Sequence, residues 1–251
     1  MKNIARTLAL AAAMTLAATG TAAAAVGPGS GFRIDTAGGY TACTIADAYP
    51  VAGAVHAVTA GHCGKVGDRV IVEGSGEVGH IIAATDPAAQ MQARPYGDGR
   101  DLEDVAIIEF DSDVEVTRYS TATWRAPATG TPADAVLGSV AIPAGPAVPI
   151  NGVRDLQAEP LRPGELVCKD GRSSGRTCGP VLATYDNDVV ALNHARSGDS
   201  GGPLYDMRGR LVGITSRDDV GPAPFVNVWQ RRDVDPVPEG PATYSITPLA
   251  G

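Results

Sequence analysis

The stretch Arg196-Ser197-Gly198-Asp199-Ser200-Gly201-Gly202-Pro203 decides how the rest of this 251-residue chain is interpreted. Three glycines around one serine are unsuited to a core and typical of a tight turn, because glycine adopts backbone conformations closed to other residues. Such a turn can aim the N–H groups of Gly198 and Ser200 at one point, where they would stabilise an oxyanion. Ser200 alone is a weak nucleophile and needs a general base. The alternative is an ordinary loop, since these residue types dominate turns.

Two further segments contain the groups that such a serine needs. Thr59-Ala60-Gly61-His62-Cys63 follows an apolar run, Ala52 to Val58, that is typical of a buried strand. An acidic cluster then runs into the strand-like segment Val105–Phe110, which would carry Asp104 into the interior. The cluster also contains Asp98, Asp101 and Glu103, which we interpret as solvated turn residues because the buried run begins only after Asp104. The order His, Asp, Ser is one of the known chain orders of a serine triad.

Together these motifs resemble those of the secreted trypsin/chymotrypsin-like serine proteases, and the bacterial members above all, over roughly residues 31–230. The resemblance implies that His62 is the general base, Asp104 the carboxylate that orients it and Ser200 the nucleophile, with the N–H groups of Gly198 and Ser200 as the oxyanion hole. It implies two six-stranded antiparallel β-barrels with the active site in the cleft between them. It also implies a polypeptide substrate, protein inhibitors as further partners, a monomeric protein, and no cofactor or metal.

The family places the floor of its primary specificity pocket six residues before the nucleophile, which is His194 here. Trypsin-like enzymes have an aspartate there, so the histidine argues against cleavage after Lys or Arg. Arg196 and Arg217 nearby favour an acidic substrate side chain, whereas Asp218 and Asp219 would reverse that sign. The pocket residues implied by the resemblance are His194, Thr215, Ser216 and Arg217. We interpret the other two histidines, His56 and His80, as structural residues of strands.

The aspartate before the nucleophile, Asp199, raises a question of activation. In animal members of the family a freed N-terminus inserts and pairs with this residue, because an unpaired buried carboxylate is costly. The start of the mature chain expected here, Val26-Gly27-Pro28-Gly29, does not resemble the usual Ile-Val-Gly-Gly. We therefore expect an internal arginine to take that role, as in bacterial relatives.

The first 25 residues are typical of a secretory signal. Lys2 and Arg6 form the positive start, Leu8 to Ala18 the apolar middle, and Ala23-Ala24-Ala25 an A-x-A cleavage site. A membrane helix is the alternative, but the apolar stretch is shorter than the ~20 residues that a span needs. We expect an extracellular protein with no membrane span. Its net charge would change from −8 to −10 on loss of the two cations, which argues against nucleic acid as a partner.

Four cysteines in an exported chain indicate two disulfides, for which three connectivities exist. We favour Cys43–Cys63 and Cys168–Cys178, because each closes a local loop. A metal site is disfavoured, since the chain has no C-x-x-C pair. The second loop also resembles a disulfide loop in the second barrel of the bacterial proteases.

Composition indicates an all-β protein: 31 glycines, 19 prolines, few aromatic residues and many short β-branched runs. We expect a signal (1–25), an N-terminal barrel with the histidine and aspartate (26–125), a C-terminal part with the barrel that contains the serine (126–235), whose first residues, 126–132, form a linker, and a Pro-rich tail (236–251). The strand candidates are Val70–Glu73, Val78–Ala83, Val105–Phe110, Glu165–Lys169, Pro180–Tyr185, Val189–Asn193, Pro203–Tyr205, Leu211–Thr215 and Phe225–Trp229.

Two other functions fit parts of the same pattern. Gly198-Asp199-Ser200-Gly201-Gly202 also matches the G-x-S-x-G turn of α/β-hydrolases. That fold needs a histidine after the serine, and none of the four histidines follows Ser200. The second alternative is a catalytically silent relative that binds a protein or a cell surface, suggested by the missing partner for Asp199. Labelling of Ser200 by an organofluorophosphate would separate an active enzyme from a binding protein.

Overall fold

The computed structural model shows an almost entirely β protein built from two antiparallel sheets, one in each half of the chain. It describes residues 25–93, 102–111, 114–120, 140–141, 147–185, 188–193, 195–218 and 242–245. No helix in these ranges has the length and apolar character that crossing a bilayer requires. The predicted signal except for Ala25, the predicted linker and the predicted strand Phe225–Trp229 lie outside the described residues.

The first sheet contains seven strands in the order β2-β1-β5-β6-β7-β4-β3 and curves into a half-open barrel, called the first barrel below. Its strands are β1 (Gly31–Thr36), β2 (Gly39–Thr44), β3 (Asp47–Val51), β4 (Ala54–Thr59), β5 (Arg69–Val72), β6 (Val78–Ala84) and β7 (Ala106–Phe110). A one-turn 3-10 helix, Gly61–Cys63, follows β4, and a short α-helix, α1 (Pro87–Gln92), follows β6.

The sequence pattern predicted the central strands of this sheet but missed β1, β2 and β3. The two edge strands, β2 and β3, have little apolar alternation: the first three residues of β2 are exposed, and β3 contains Pro50. Proline is tolerated at a sheet edge because one side of an edge strand needs no N–H donor. Among the described residues the sheet of the first barrel has seven strands, one more than expected.

The second sheet forms a closed ring, called the second barrel below. Its strands are β8 (Val140–Ala141), β9 (Leu166–Gly171), β10 (Gly175–Thr184), β11 (Asp188–Ala191), β12 (Pro203–Asp206), β13 (Leu211–Asp218) and β14 (Ala242–Ser245). The ring closes because β10 pairs with both β9 and β11, so that six strands follow one another and β8 attaches to β10 from outside. Strand β14 comes from the segment predicted to be an extended tail, and it pairs with β11 and β13.

Each barrel encloses its own apolar core, and a smaller cluster joins the two. The first core includes Phe32, Ile34, Val70, Ile81, Ile108 and Phe110; the second includes Leu161, Val167, Val181, Leu204 and Val212. Each such side chain contributes about 1.5–3 kcal/mol when fully buried. Between the barrels, Ile214 of β13 packs on Ala46 and Val58. This contact brings the end of β4 close to β13.

Both disulfides are present in the favoured pairing. Cys43–Cys63 joins the end of β2 to the turn after β4. Cys168–Cys178 joins directly opposite residues of β9 and β10.

Candidate active site

The glycine-rich turn before β12 has a backbone conformation that only glycine adopts easily. Gly198 and Gly201 have φ angles of +97° and +83°, in the region that side chains with a Cβ disfavour. The amide of Gly201 donates to the Thr215 carbonyl of β13 at 2.6 Å. A Cβ on Gly201 would lie 2.0 Å from Thr59 Oγ1 and 2.4 Å from the Thr44 carbonyl oxygen. Glycine is required here because the first barrel approaches the turn this closely.

His62 lies in the 3-10 turn that follows β4. Its side chain is 37% exposed, so part of the ring is open to solvent. The turn is held on one side by the Cys43–Cys63 disulfide. On the other side it packs so tightly that a Cβ on Gly61 would lie 2.5 Å from the Thr85 carbonyl oxygen. The imidazole is thus presented from a rigid support.

Asp104 lies two residues before the first residue of β7, is buried to 1% exposure and faces His62. Its Oδ2 is 2.8 Å from His62 Nδ1, and its Oδ1 accepts a hydrogen bond from the His62 backbone N–H at 2.9 Å. Ser216 Oγ of β13 also donates to Oδ2, at 2.5 Å. Three bonds therefore orient the carboxylate and, through it, the ring.

Burial alone would raise the pKa of the Asp104 carboxyl, but the hydrogen bonds and charge of His62 and the bond from Ser216 outweigh it and hold that pKa below its usual value. Asp104 is therefore an anion at neutral pH, as a group that stabilises an imidazolium must be. Of its rivals, Glu103 has an exposed side chain, while Asp98 and Asp101 lie outside the described residues.

The two barrels meet where the histidine turn and the serine turn touch. The Ser200 carbonyl oxygen accepts a hydrogen bond from the Thr44 N–H of β2 at 2.8 Å and lies 3.9 Å from the Cys63 sulfur. The residue after His62 is therefore in contact with the peptide of Ser200. Among the described residues no hydrogen bond joins Ser200 Oγ to the His62 ring. The ring is hydrogen-bonded to Asp104.

The two predicted oxyanion donors have no hydrogen-bond acceptor among the described residues. Within the described part of the chain, the N–H groups of Gly198 and Ser200 donate to no other group, although their neighbours Asp199, Gly201 and Gly202 all do. N–H groups that donate to no other group can bind an anionic oxygen placed beside them.

Asp199 is fully buried, and its partner is a lysine of β9 rather than the expected arginine. Lys169 Nζ lies 2.6 Å from Asp199 Oδ2, and both side chains are 0% exposed. The carboxylate also accepts bonds from the N–H groups of Ser173, Ser174 and Arg196 and from the Ser174 hydroxyl. Burial would raise the pKa of Asp199, but the charge of Lys169 and these bonds keep it below its usual value.

The role of Lys169 was not predicted from the sequence, although its position in the chain indicated that it is unusual. It is one of only three lysines in the chain and stands inside the strand Leu166–Gly171, next to a disulfide cysteine. Such a cation cannot remain buried without an anion. The backbone amide of Val26, the expected mature start, meanwhile donates to the Glu115 carbonyl at 2.8 Å and does not approach Asp199.

Of the predicted specificity-pocket residues, the structure describes the side chains of two. Thr215 and Ser216 lie on β13 and are buried, with 2% and 4% exposure. The Ser216 hydroxyl bonds to Asp104, a contact that sequence reasoning missed when it assigned Ser216 to the pocket. The Thr215 hydroxyl has no partner among the described residues. His194 and the side chain of Arg217 lie outside them.

The other two described histidines pair with carboxylates within the first barrel. His56 Nε2 lies 3.1 Å from Glu109, and His80 Nδ1 lies 2.8 Å from Asp111. In the described residues, one group of potential metal ligands comes together, namely Cys43, His62 and Cys63. Both sulfurs belong to a disulfide, so they do not offer the thiolates that a metal would bind.

Comparison with known proteins gives matches in sequence and in fold. The family described as the trypsin-like peptidase domain matches residues 29–214. An uncharacterized protein of Mycobacterium tuberculosis, Rv1815, is 31% identical over 179 residues, which cover 69% of this chain and 61% of that protein. The chain thus matches less than two thirds of the length of this relative.

Three solved structures share the fold at low sequence identity. A Nocardiopsis protease has a TM-score of 0.54 at 19% identity, covering 88% of this chain and 90% of its own. Thermobifida fusca protease A has a TM-score of 0.55 at 19% identity, covering 89% and 91%. A Cellulomonas bogoriensis chymotrypsin has a TM-score of 0.52 at 20% identity, also covering 89% and 91%. At such identities the likeness concerns the fold.

Proposed function

Because this chain belongs to the trypsin-like peptidase family, we propose that it is a secreted serine endopeptidase that cleaves peptide bonds through His62, Asp104 and Ser200. The proposal rests on the buried Asp104 carboxylate, which lies 2.8 Å from His62 Nδ1. The turn that contains His62 also contacts the peptide of Ser200 through Cys63. A merely structural histidine would not need its ring both oriented by a buried anion and partly open to solvent.

The proposed reaction begins when His62 Nε2 takes the proton of Ser200 Oγ, and Oγ attacks the carbonyl carbon of the scissile peptide. Catalytic hydrogen bonds are often long in a free enzyme and tighten when substrate binds, so we expect the Ser200–His62 bond to form in the complex. Asp104, an anion at neutral pH, stabilises the imidazolium and holds Nδ1 protonated.

The negative charge that develops on the carbonyl oxygen would be bound by the N–H groups of Gly198 and Ser200. Collapse of the tetrahedral intermediate breaks the C–N bond, and His62 donates its proton to the leaving amine. Water, deprotonated by His62, then attacks the acyl-enzyme, and Ser200 regains its proton when the acid product leaves.

The buried Lys169–Asp199 pair supports activity without insertion of the N-terminus. The silent-binding alternative was suggested by the apparent lack of a partner for Asp199, and Lys169 supplies one. Removal of a signal over residues 1–25 and release to the extracellular space are part of the same proposal, consistent with two disulfides in the chain.

The test is to compare the purified protein with Ser200→Ala, His62→Ala and a control, Ser75→Ala, on a mixed peptide library. Ser75 lies in the turn after β5, where its hydroxyl accepts a hydrogen bond from the Glu77 N–H. We expect the first two variants to lose about 10⁴-fold or more in turnover and the control to lose nothing. Undiminished cleavage by Ser200→Ala, with contaminating protease excluded, would overturn the proposal. The cut sites from the same library would identify the side chain bound by the specificity pocket.

A further inference from the structure

Thr44, the last residue of β2, connects the first barrel to the serine turn on the second. It is fully buried. Its backbone N–H donates to the Ser200 carbonyl at 2.8 Å, and its hydroxyl donates to the Gly198 carbonyl at 2.8 Å. These partners stand more than 150 positions away in the chain. One residue of the first barrel thus holds two carbonyls of the turn that contains the proposed nucleophile.

Both carbonyls adjoin the free N–H groups of the proposed oxyanion hole. The Gly198 N–H and C=O groups share one α-carbon, and so do those of Ser200. Each held carbonyl fixes one of the two peptide planes at its α-carbon, so the N–H on the other side can turn away only by rotation about its own N–Cα bond. Glycine at 198, with φ of +97°, has no Cβ to restrict that rotation by itself, so we expect an external hydrogen bond to matter most there.

The direction of the Thr44 hydroxyl proton is set by a second neighbour. Thr44 Oγ1 accepts a hydrogen bond from the Arg172 N–H at 3.1 Å. Because that N–H occupies a lone pair, the hydroxyl proton is directed to the Gly198 carbonyl. The Arg172 guanidinium in turn pairs with Glu73 of the first barrel, with Nε 2.8 Å from Oε2. The next residue, Ser173, donates its N–H to Asp199.

We infer that Thr44 is a positioning residue that keeps the oxyanion-binding turn in its reactive conformation from the opposite barrel, with Arg172 and Glu73 holding its hydroxyl in place. The inference rests on the proposed function. A residue of this kind acts on the transition state, in which the oxyanion exists, more than on the bound substrate. Its loss therefore lowers kcat and leaves KM nearly unchanged.

The experiment compares Thr44→Val, which keeps the shape and removes the hydroxyl, with Thr44→Ser, which keeps the hydroxyl. Thr117→Val is the matched control, because the Thr117 hydroxyl accepts a bond from the Tyr119 N–H and takes no part in the hydrogen bonds of Thr44. Each variant is measured for kcat and KM on one peptide substrate, for inhibition by a peptide aldehyde, and for melting temperature.

Losing a direct oxyanion donor costs about 10²–10³ in kcat; for this indirect role we expect a fall of roughly 10–100-fold in Thr44→Val, with KM within about twofold. Aldehyde binding should weaken by a similar factor, because the bound hemiacetal mimics the oxyanion. Thr44→Ser should keep most of the wild-type kcat, and the control all of it. An unchanged kcat in folded Thr44→Val would overturn the inference. The inference would also be overturned if kcat fell equally in Thr44→Ser and Thr44→Val, and in proportion to the fall in their melting temperatures.

If Thr44→Val does not fold, Glu73→Gln provides the test at a half-exposed site. It removes the charge that holds Arg172, and we expect kcat to fall about threefold to tenfold at constant KM; no change would then overturn the inference. Active-site titration of the wild type with an organofluorophosphate tests the proposed function separately from the role of Thr44. Failure of wild-type labelling refutes the proposed function, whereas normal labelling with an unaltered variant refutes only the role of Thr44.

Discussion

Replacing Lys169 by methionine tests the buried ion pair beneath the serine turn. The substitution keeps most of the side-chain volume and removes the charge. Lys169 Nζ lies 2.6 Å from Asp199 Oδ2, and neither side chain is exposed. Removing one partner of such a pair costs about 3–5 kcal/mol, because the other charge remains buried. Four further donors, from Ser173, Ser174 and Arg196, remain on the carboxylate, so we expect a loss near the lower end, about 3 kcal/mol.

The assay is urea unfolding at pH 7, followed by circular dichroism, together with turnover of a peptide substrate. Lys65→Met is the matched control, since Lys65 is the other lysine outside the proposed signal and its side chain is exposed. The double variant Lys169→Met/Asp199→Asn should recover much of the lost stability, because no buried charge remains. A loss below about 1 kcal/mol in Lys169→Met, or the same loss in Lys65→Met, would refute the reasoning.

Three other predictions follow from the geometry. Asp104→Asn should lower kcat by about 10⁴-fold because it stabilises the wrong imidazole tautomer; kcat near the wild-type value would show that another group orients His62. Gly201→Ala should destabilise the fold by about 3 kcal/mol, from a positive φ and a Cβ 2.0 Å from Thr59 Oγ1, which urea unfolding measures; an unchanged midpoint would contradict the close approach of the barrels. Asp104 and Asp199 have lowered pKa values in the fold, so the unfolded chain takes up protons first, and stability should fall as the pH drops below about 4. Urea midpoints from pH 7 to 3 should show this fall, and it should be smaller in Lys169→Met/Asp199→Asn; equal slopes would contradict the assignment for Asp199.

The site residues that the sequence predicted are those that stand in short, chemically distinctive motifs. His62 and Ser200 each lie in a glycine-containing turn, and Asp104 precedes a buried strand. The spacing of Cys43–Cys63 and Cys168–Cys178 likewise indicated loops short enough to close locally. In each case the prediction depended only on residues close together in the chain.

The residues that the sequence did not reveal act through contacts between distant parts of the chain. Thr44 bonds to a carbonyl 154 residues away, Ser216 to a carboxylate 112 residues away, and Lys169 to one 30 residues away. None stands in a motif, and only the pairing of the strands brings each to its partner. The same limit applies to β14, whose position between β11 and β13 depends on ring closure rather than on its own pattern.

The most direct test of the account is the site and rate of reaction with an organofluorophosphate. The purified protein is incubated with the reagent, the adduct is located by mass spectrometry, and the rate is compared in the wild type and His62→Ala. The account predicts one adduct, on Ser200, that forms at least about 10³-fold more slowly without the imidazole. An unmodified Ser200, or a rate indifferent to His62, would contradict it.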